Sequence, residues 1–67
     1  MFCPERMEAA IKESGIKYSA IAKKLNIADT SFRNKRKGLT EFTQTEISAF
    51  CDLLGLSDEL RNQIFFA

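Results

Sequence analysis

Seven basic side chains stand between Lys17 and Lys37: Lys17, Lys23, Lys24, Arg33, Lys35, Arg36 and Lys37. Asp29 is the only acid among them. The chemistry open to such a run is neutralisation of an anionic surface. The segment carries +6, while the rest of the chain, with three bases and eight acids, carries −5. The formal net charge of +1 hides this lopsided distribution. A basic middle between acidic flanks is the footprint of a phosphate-binding face, and equally of a plain solvated helix surface.

Other chemistries lack their residues. There is no histidine, no glycine-rich phosphate loop and no cluster of metal-ligand types, so neither an enzyme nor a metal or cofactor is expected. Cys3 and Cys51 are far apart in sequence, and without histidine they do not suggest zinc. They are expected to be reduced, partly buried thiols.

With 67 residues the chain makes one domain, residues 1–67, with a small core. Apolar residues are 45% of it, too many for a disordered chain. No apolar run approaches the ~20 residues of a membrane span, so no membrane partner is expected. Met1 to Glu8 is charged and holds no apolar signal core. A cytoplasmic, nucleoid-associated location is therefore expected.

The elements that must position the basic residues are helices. There is no valine and no sustained alternation of apolar and polar residues. Pro4 opens a first helix, Met7, Ala10 and Ile11 give it an inner face, and Gly15 ends it. A second helix fits Tyr18 to Leu25, with Ile21, Ala22 and Leu25 inward. Asn26 tolerates the left-handed conformation and permits a tight turn. A third helix runs from about Asp29 to Lys37, with Phe32 inward and Gly38 as its stop. Thr43 and Glu46 form a capping box for a fourth helix with Ile47, Phe50, Cys51 and Leu54 on one face. Ser57 caps a short fifth helix with Leu60, Ile64 and Phe65 as its apolar side. Five helices account for the full length, and the chain is expected to be a whole protein.

The short connection between the second and third helices forces a sharp crossing. Ala22 is small where the helices come close, and Asn26 turns the chain four residues later. Ile21, Leu25, Ile27 and Phe32 surround the crossing. These offsets are those of a helix-turn-helix over about residues 18–37, with an ordinary helical hairpin as the alternative. The stretch from Ile16 to Phe32, IKYSAIAKKLNIADTSF, resembles the Cro and repressor-type (XRE-like) helix-turn-helix family. It matches the pattern Leu-Thr-Gln-x-x-Leu-Ala-x-x-Leu-Gly-Ile-Ser-x-x-x-Ile. GLTEFTQTEI from Gly38, LLGLSDE from Leu53 and the ending Ile64-Phe-Phe resemble a subgroup of small phage and prophage regulators. The likeness covers about residues 5–66. The departures are Asn26 for glycine, Tyr18 for glutamine, and Lys35-Arg36-Lys37 where an apolar residue would anchor the third helix.

The resemblance implies an all-α, five-helix domain of the lambda-repressor-like type, and a transcriptional regulator that reads the major groove of double-stranded DNA with its third helix. Carried over position by position, Asp29, Thr30, Arg33 and Asn34 become the base readers, with Arg33 suited to guanine and Asn34 to adenine. Asp29 is expected either to read cytosine or merely to cap the helix, with capping favoured since Ala28 is a poor cap. Tyr18, Ser19, Lys35, Arg36 and Lys37 become phosphate contacts. Arg36 is expected to lay its stem along the core and expose its head. The expected partners are an operator duplex and a second copy bound through the C-terminal helix. The alternative is an antirepressor that binds a partner repressor on the same fold. The phenylalanines at helical spacing are expected in the core, with one of Phe65 and Phe66 exposed.

Overall fold

A computed structural model describes all 67 residues. Five helices follow one another without a strand: α1 Pro4–Ser14, α2 Tyr18–Leu25, α3 Asp29–Arg36, α4 Gln44–Leu54 and α5 Asp58–Phe65. The molecule is all-α and measures 27 × 23 × 20 Å. α2 packs mainly on α4 and α3, and α1 lies against α3, α4 and α5.

Local signals account for the boundaries. Asn26 is the only non-glycine residue with positive φ, at 62°. There the N–H of Ile27 reaches the Ala22 carbonyl at 3.0 Å, and that of Asn26 reaches the Lys23 carbonyl at 3.1 Å. Together these bonds satisfy carbonyls that the helix end would leave unpaired. Gly38 repeats the pattern after α3, with Leu39 bonded to Asn34 and Gly38 to Lys35. α4 opens on the expected capping box. The Glu46 N–H donates to the Thr43 hydroxyl at 3.1 Å, and the Thr43 N–H donates to Glu46 at 2.9 Å. Ser57 caps α5 through the Leu60 N–H at 3.2 Å.

Two expectations about α3 change. Asp29 does not cap the helix: Ala28 holds the cap position, and no side chain bonds the first turn. Asp29 lies one residue inside, where it adds only negative charge at the positive helix end. Lys37 leaves the last turn and becomes the C-terminal cap residue.

The core is wholly apolar, with Phe32, Phe50, Met7, Ile21 and Ile64 at its centre. Ile11, Ala22, Leu25, Ile47, Cys51 and Phe65 complete it. Leu60, expected inside, is 45% exposed. It lines an open groove between α1 and α5, where Ala9 and Ala10 are too small to close over it. Phe2 enters an aromatic cluster, with ring centroids 5.5 Å from Phe42 and 5.8 Å from Phe65. Beside it the Cys3 N–H donates to the Ile64 carbonyl at 2.6 Å, joining the two ends of the chain. Both cysteines are free thiols, and burial pushes the Cys51 thiol above its ordinary value. No helix is long and apolar enough to cross a membrane.

Candidate nucleic-acid interface

α3 has two faces, and Phe32 decides which is which. Its ring is fully buried. Residues three and four positions later share its side of a helix, so Lys35 and Arg36 turn toward the protein. Thr30, Arg33 and Lys37 turn away and are exposed, with Asn34 half-buried on the same side, while Asp29, three residues before Phe32, is exposed because it stands at the open start of the helix. The side chains of these five make no hydrogen bond or ion pair within the protein. The four residues expected to read bases thus lie together on one short helix, and Lys37 extends their row.

The five expected phosphate contacts divide differently. Lys37 and Ser19 are exposed and make no side-chain bond. Lys35 is held inside. Its Nζ donates to the Glu41 carbonyl at 2.7 Å, lies 3.2 Å from Glu46 Oε1, and sits 5.9 Å from the Phe42 ring centroid. Burial by itself would raise the Glu46 carboxyl. The Thr43 N–H and the Lys35 ammonium more than offset it and leave the carboxyl below its ordinary value.

Arg36 is held more firmly still. Its guanidinium lies 3.8 Å from the centroid of the Tyr18 ring and 5.0 Å from that of Phe32. Nη1 donates to Glu8 Oε2 at 3.1 Å, and the Tyr18 hydroxyl donates to the other oxygen, Oε1, at 2.6 Å. Only 12% of the Arg36 side chain is exposed, and its Nε is buried without a partner. The head, expected in solvent, is stacked on aromatic faces, which attract a cation through their quadrupole. The Glu8 hydrogen bond, with burial second, raises the Tyr18 phenol above its ordinary value. The missing apolar anchor of α3 is therefore supplied by an arginine, a tyrosine ring and a carboxylate from α1.

α2 and α3, like α1, carry no side-chain cap, whereas α4 and α5 both do. The N–H groups of Tyr18, Ser19 and Ala20, and of Asp29, Thr30 and Ser31, therefore meet no capping side chain. Their partial positive charge adds to that of Lys17, Lys23, Lys24, Arg33 and Lys37, none of which is ion-paired. The surface around the α2–α3 turn is an open hollow lined by Ser19, Lys23, Asn26, Ile27, Ala28 and Asp29. Such a surface can accept phosphates at helix starts and present donors to base edges beside them.

Comparisons of the chain with protein-family models, with curated proteins and with solved structures find no match. The site stands on its own geometry. Glu8 was not singled out by sequence reasoning, because its partners come from 10 and 28 residues away. The inward turn of Lys35 and Arg36, by contrast, was readable from their offset to Phe32.

Proposed function

We propose that this chain is a sequence-specific, double-stranded-DNA-binding transcriptional regulator of the Cro and repressor type. In this reading α3 enters the major groove and the start of α2 meets the backbone. Its place is the cytoplasm, on the nucleoid, and its role is not enzymatic. The observation that carries the reading is the outer face of α3. Arg33, Asn34 and Thr30 sit there, with Asp29 at the start of the helix, all without side-chain partners, while the other two basic residues of the same helix are bonded inward. Arg33 has the planar fork that matches guanine O6 and N7, and Asn34 matches adenine. Lys37, Lys17, Lys23, Lys24 and the bare helix starts supply contacts that position without specifying.

Selection of bound duplexes from a random pool, followed by anisotropy titration, tests this reading. An enriched site, with half-sites one helical turn apart if two copies bind, is the expected result. Arg33→Ala then costs about 1–3 kcal/mol on that site and relaxes one base position. Lys37→Ala weakens selected and random duplexes alike and flattens the salt dependence by about one contact. The four lysines assigned to phosphates set the slope of log affinity against log salt at about −3.6 per protomer. Absence of binding to any duplex at low salt defeats the proposal.

A second reading is favoured by the apolar surface just beyond the end of α3. Leu39 is 71% and Phe66 52% exposed, at and near a hollow lined by Phe2, Phe42 and Phe65. An apolar end of this kind suits a protein partner, either a second copy or a repressor that the chain blocks. Co-purification with a repressor, together with no DNA affinity, would select it.

A further inference from the structure

The cluster of Glu8, Tyr18 and Arg36 does more than anchor α3. Glu8 brings a carboxylate to the start of α2, where the proposed DNA-binding mode places a phosphate. Both of its oxygens are engaged, one by the Tyr18 hydroxyl at 2.6 Å and one by Arg36 Nη1 at 3.1 Å. A backbone phosphate presents the same chemistry: two anionic oxygens accepting from a phenol and a guanidinium. Glu8 is 40% exposed at its side chain and shares a shallow depression with Lys12, Lys17 and Tyr18. It thus lies among the cations of that edge rather than behind them.

From this geometry we infer that Glu8 is an electrostatic brake on DNA binding: it occupies Arg36 Nη1 and the Tyr18 hydroxyl as a phosphate would and neutralises the guanidinium at the edge of the interface. The inference rests on the DNA-binding reading above. The same carboxylate has two effects of opposite sign. It stabilises the fold by joining α1 to the ends of α2 and α3, and it lowers affinity by neutralising one cation. A residue with a purely structural role would lower both stability and affinity when removed.

Glu8→Gln separates the cases, because the amide keeps the size of the side chain but loses the charge, and its single carbonyl oxygen replaces two accepting oxygens, so Tyr18 and Arg36 are no longer both held. The probe is a random-sequence duplex, titrated by fluorescence anisotropy at 50 and 200 mM salt, with Tm measured alongside. The expected result is a lower Tm with tighter binding. One additional phosphate contact raises affinity about fifteenfold at 50 mM and about fourfold at 200 mM salt, and steepens the salt slope by about 0.9. The gain must vanish in the Glu8→Gln/Arg36→Met double variant. A gain that persists without Arg36 reflects general charge and overturns the brake.

If the wild type binds and Glu8→Gln binds no better, the brake alone falls. If neither binds any duplex, the DNA-binding reading falls with it. A measurement on the wild type does not depend on the variant folding. In nitrogen-15 spectra of the arginine Nε–H groups, duplex addition is expected to shift Arg33 and leave Arg36 in place. An Arg36 signal that moves as far as that of Arg33 refutes the brake.

Discussion

Tyr18 is the only tyrosine of the chain and there is no tryptophan, so its ionisation can be followed directly by absorbance near 295 nm. The bond to Glu8 holds the neutral phenol and moves its titration upward. The midpoint is expected above the ordinary value of about 10, and to fall back toward it in Glu8→Ala. Because the folded value is raised, this contact contributes stability below the ordinary tyrosine value. That contribution is lost as pH rises through the folded value. Glu46 has the opposite sign. Its carboxyl is lowered in the folded state, so its contribution is present above about pH 4.3 and disappears as pH falls through the folded value. Thermal melts between pH 6 and pH 2 are expected to lose less stability across that acid range in Glu46→Gln than in the wild type. Identical acid slopes would remove the Lys35–Glu46 pair from the acid response.

At the scale of elements, the α2–α3 turn and the start of α4 are decided by single residues. Asn26 holds φ at 62°, a conformation that costs a residue with a plain Cβ about 1–2 kcal/mol. Asn26→Ala is expected to lose about 1 kcal/mol in urea unfolding, while Asn26→Gly keeps or regains it. Equal losses for both would mean that the asparagine side chain, not its backbone, holds the turn. Thr43→Ala removes one half of the capping box and is expected to cost about 1 kcal/mol. Lys35 reaches the other half, through Glu46 at 3.2 Å. The end of α3 and the beginning of α4 are thereby tied into one polar joint, which helps orient the outer face of α3.

The whole molecule is small enough that its closure matters. A domain of 67 residues buries a modest core, and a few kcal/mol separate it from the unfolded chain. Phe2 and the Cys3–Ile64 backbone bond close the aromatic cluster by bringing the first residues onto α5. Phe2→Ala is expected to cost about 1–2 kcal/mol, less than a fully buried phenylalanine, and to lower Tm by several degrees. The amide proton of Cys3 should then exchange faster than in the wild type. Unchanged Tm and exchange would make the N-terminal segment a passive tail.

The sequence by itself determined the five helices, their stops at Asn26, Gly38 and Gly55, and most of the core, because these follow from contacts between residues three to five apart. It also located the outer residues of α3, since Phe32 sets the inner side of that helix by simple periodicity. The tertiary structure decided what the inward-turned cations meet. Lys35 is bonded to residues of the next element, and Arg36 meets Glu8 and Tyr18 from α1 and α2. Net charge along a chain counts such residues as part of a basic face, whereas packing pairs them across elements and removes them from it. Phe2 was missed for the same reason: no local pattern tells a chain end that it will be covered by another. The basic face between Lys17 and Lys37 is therefore smaller than its composition implies, and its reach toward an anion is set by a glutamate outside it.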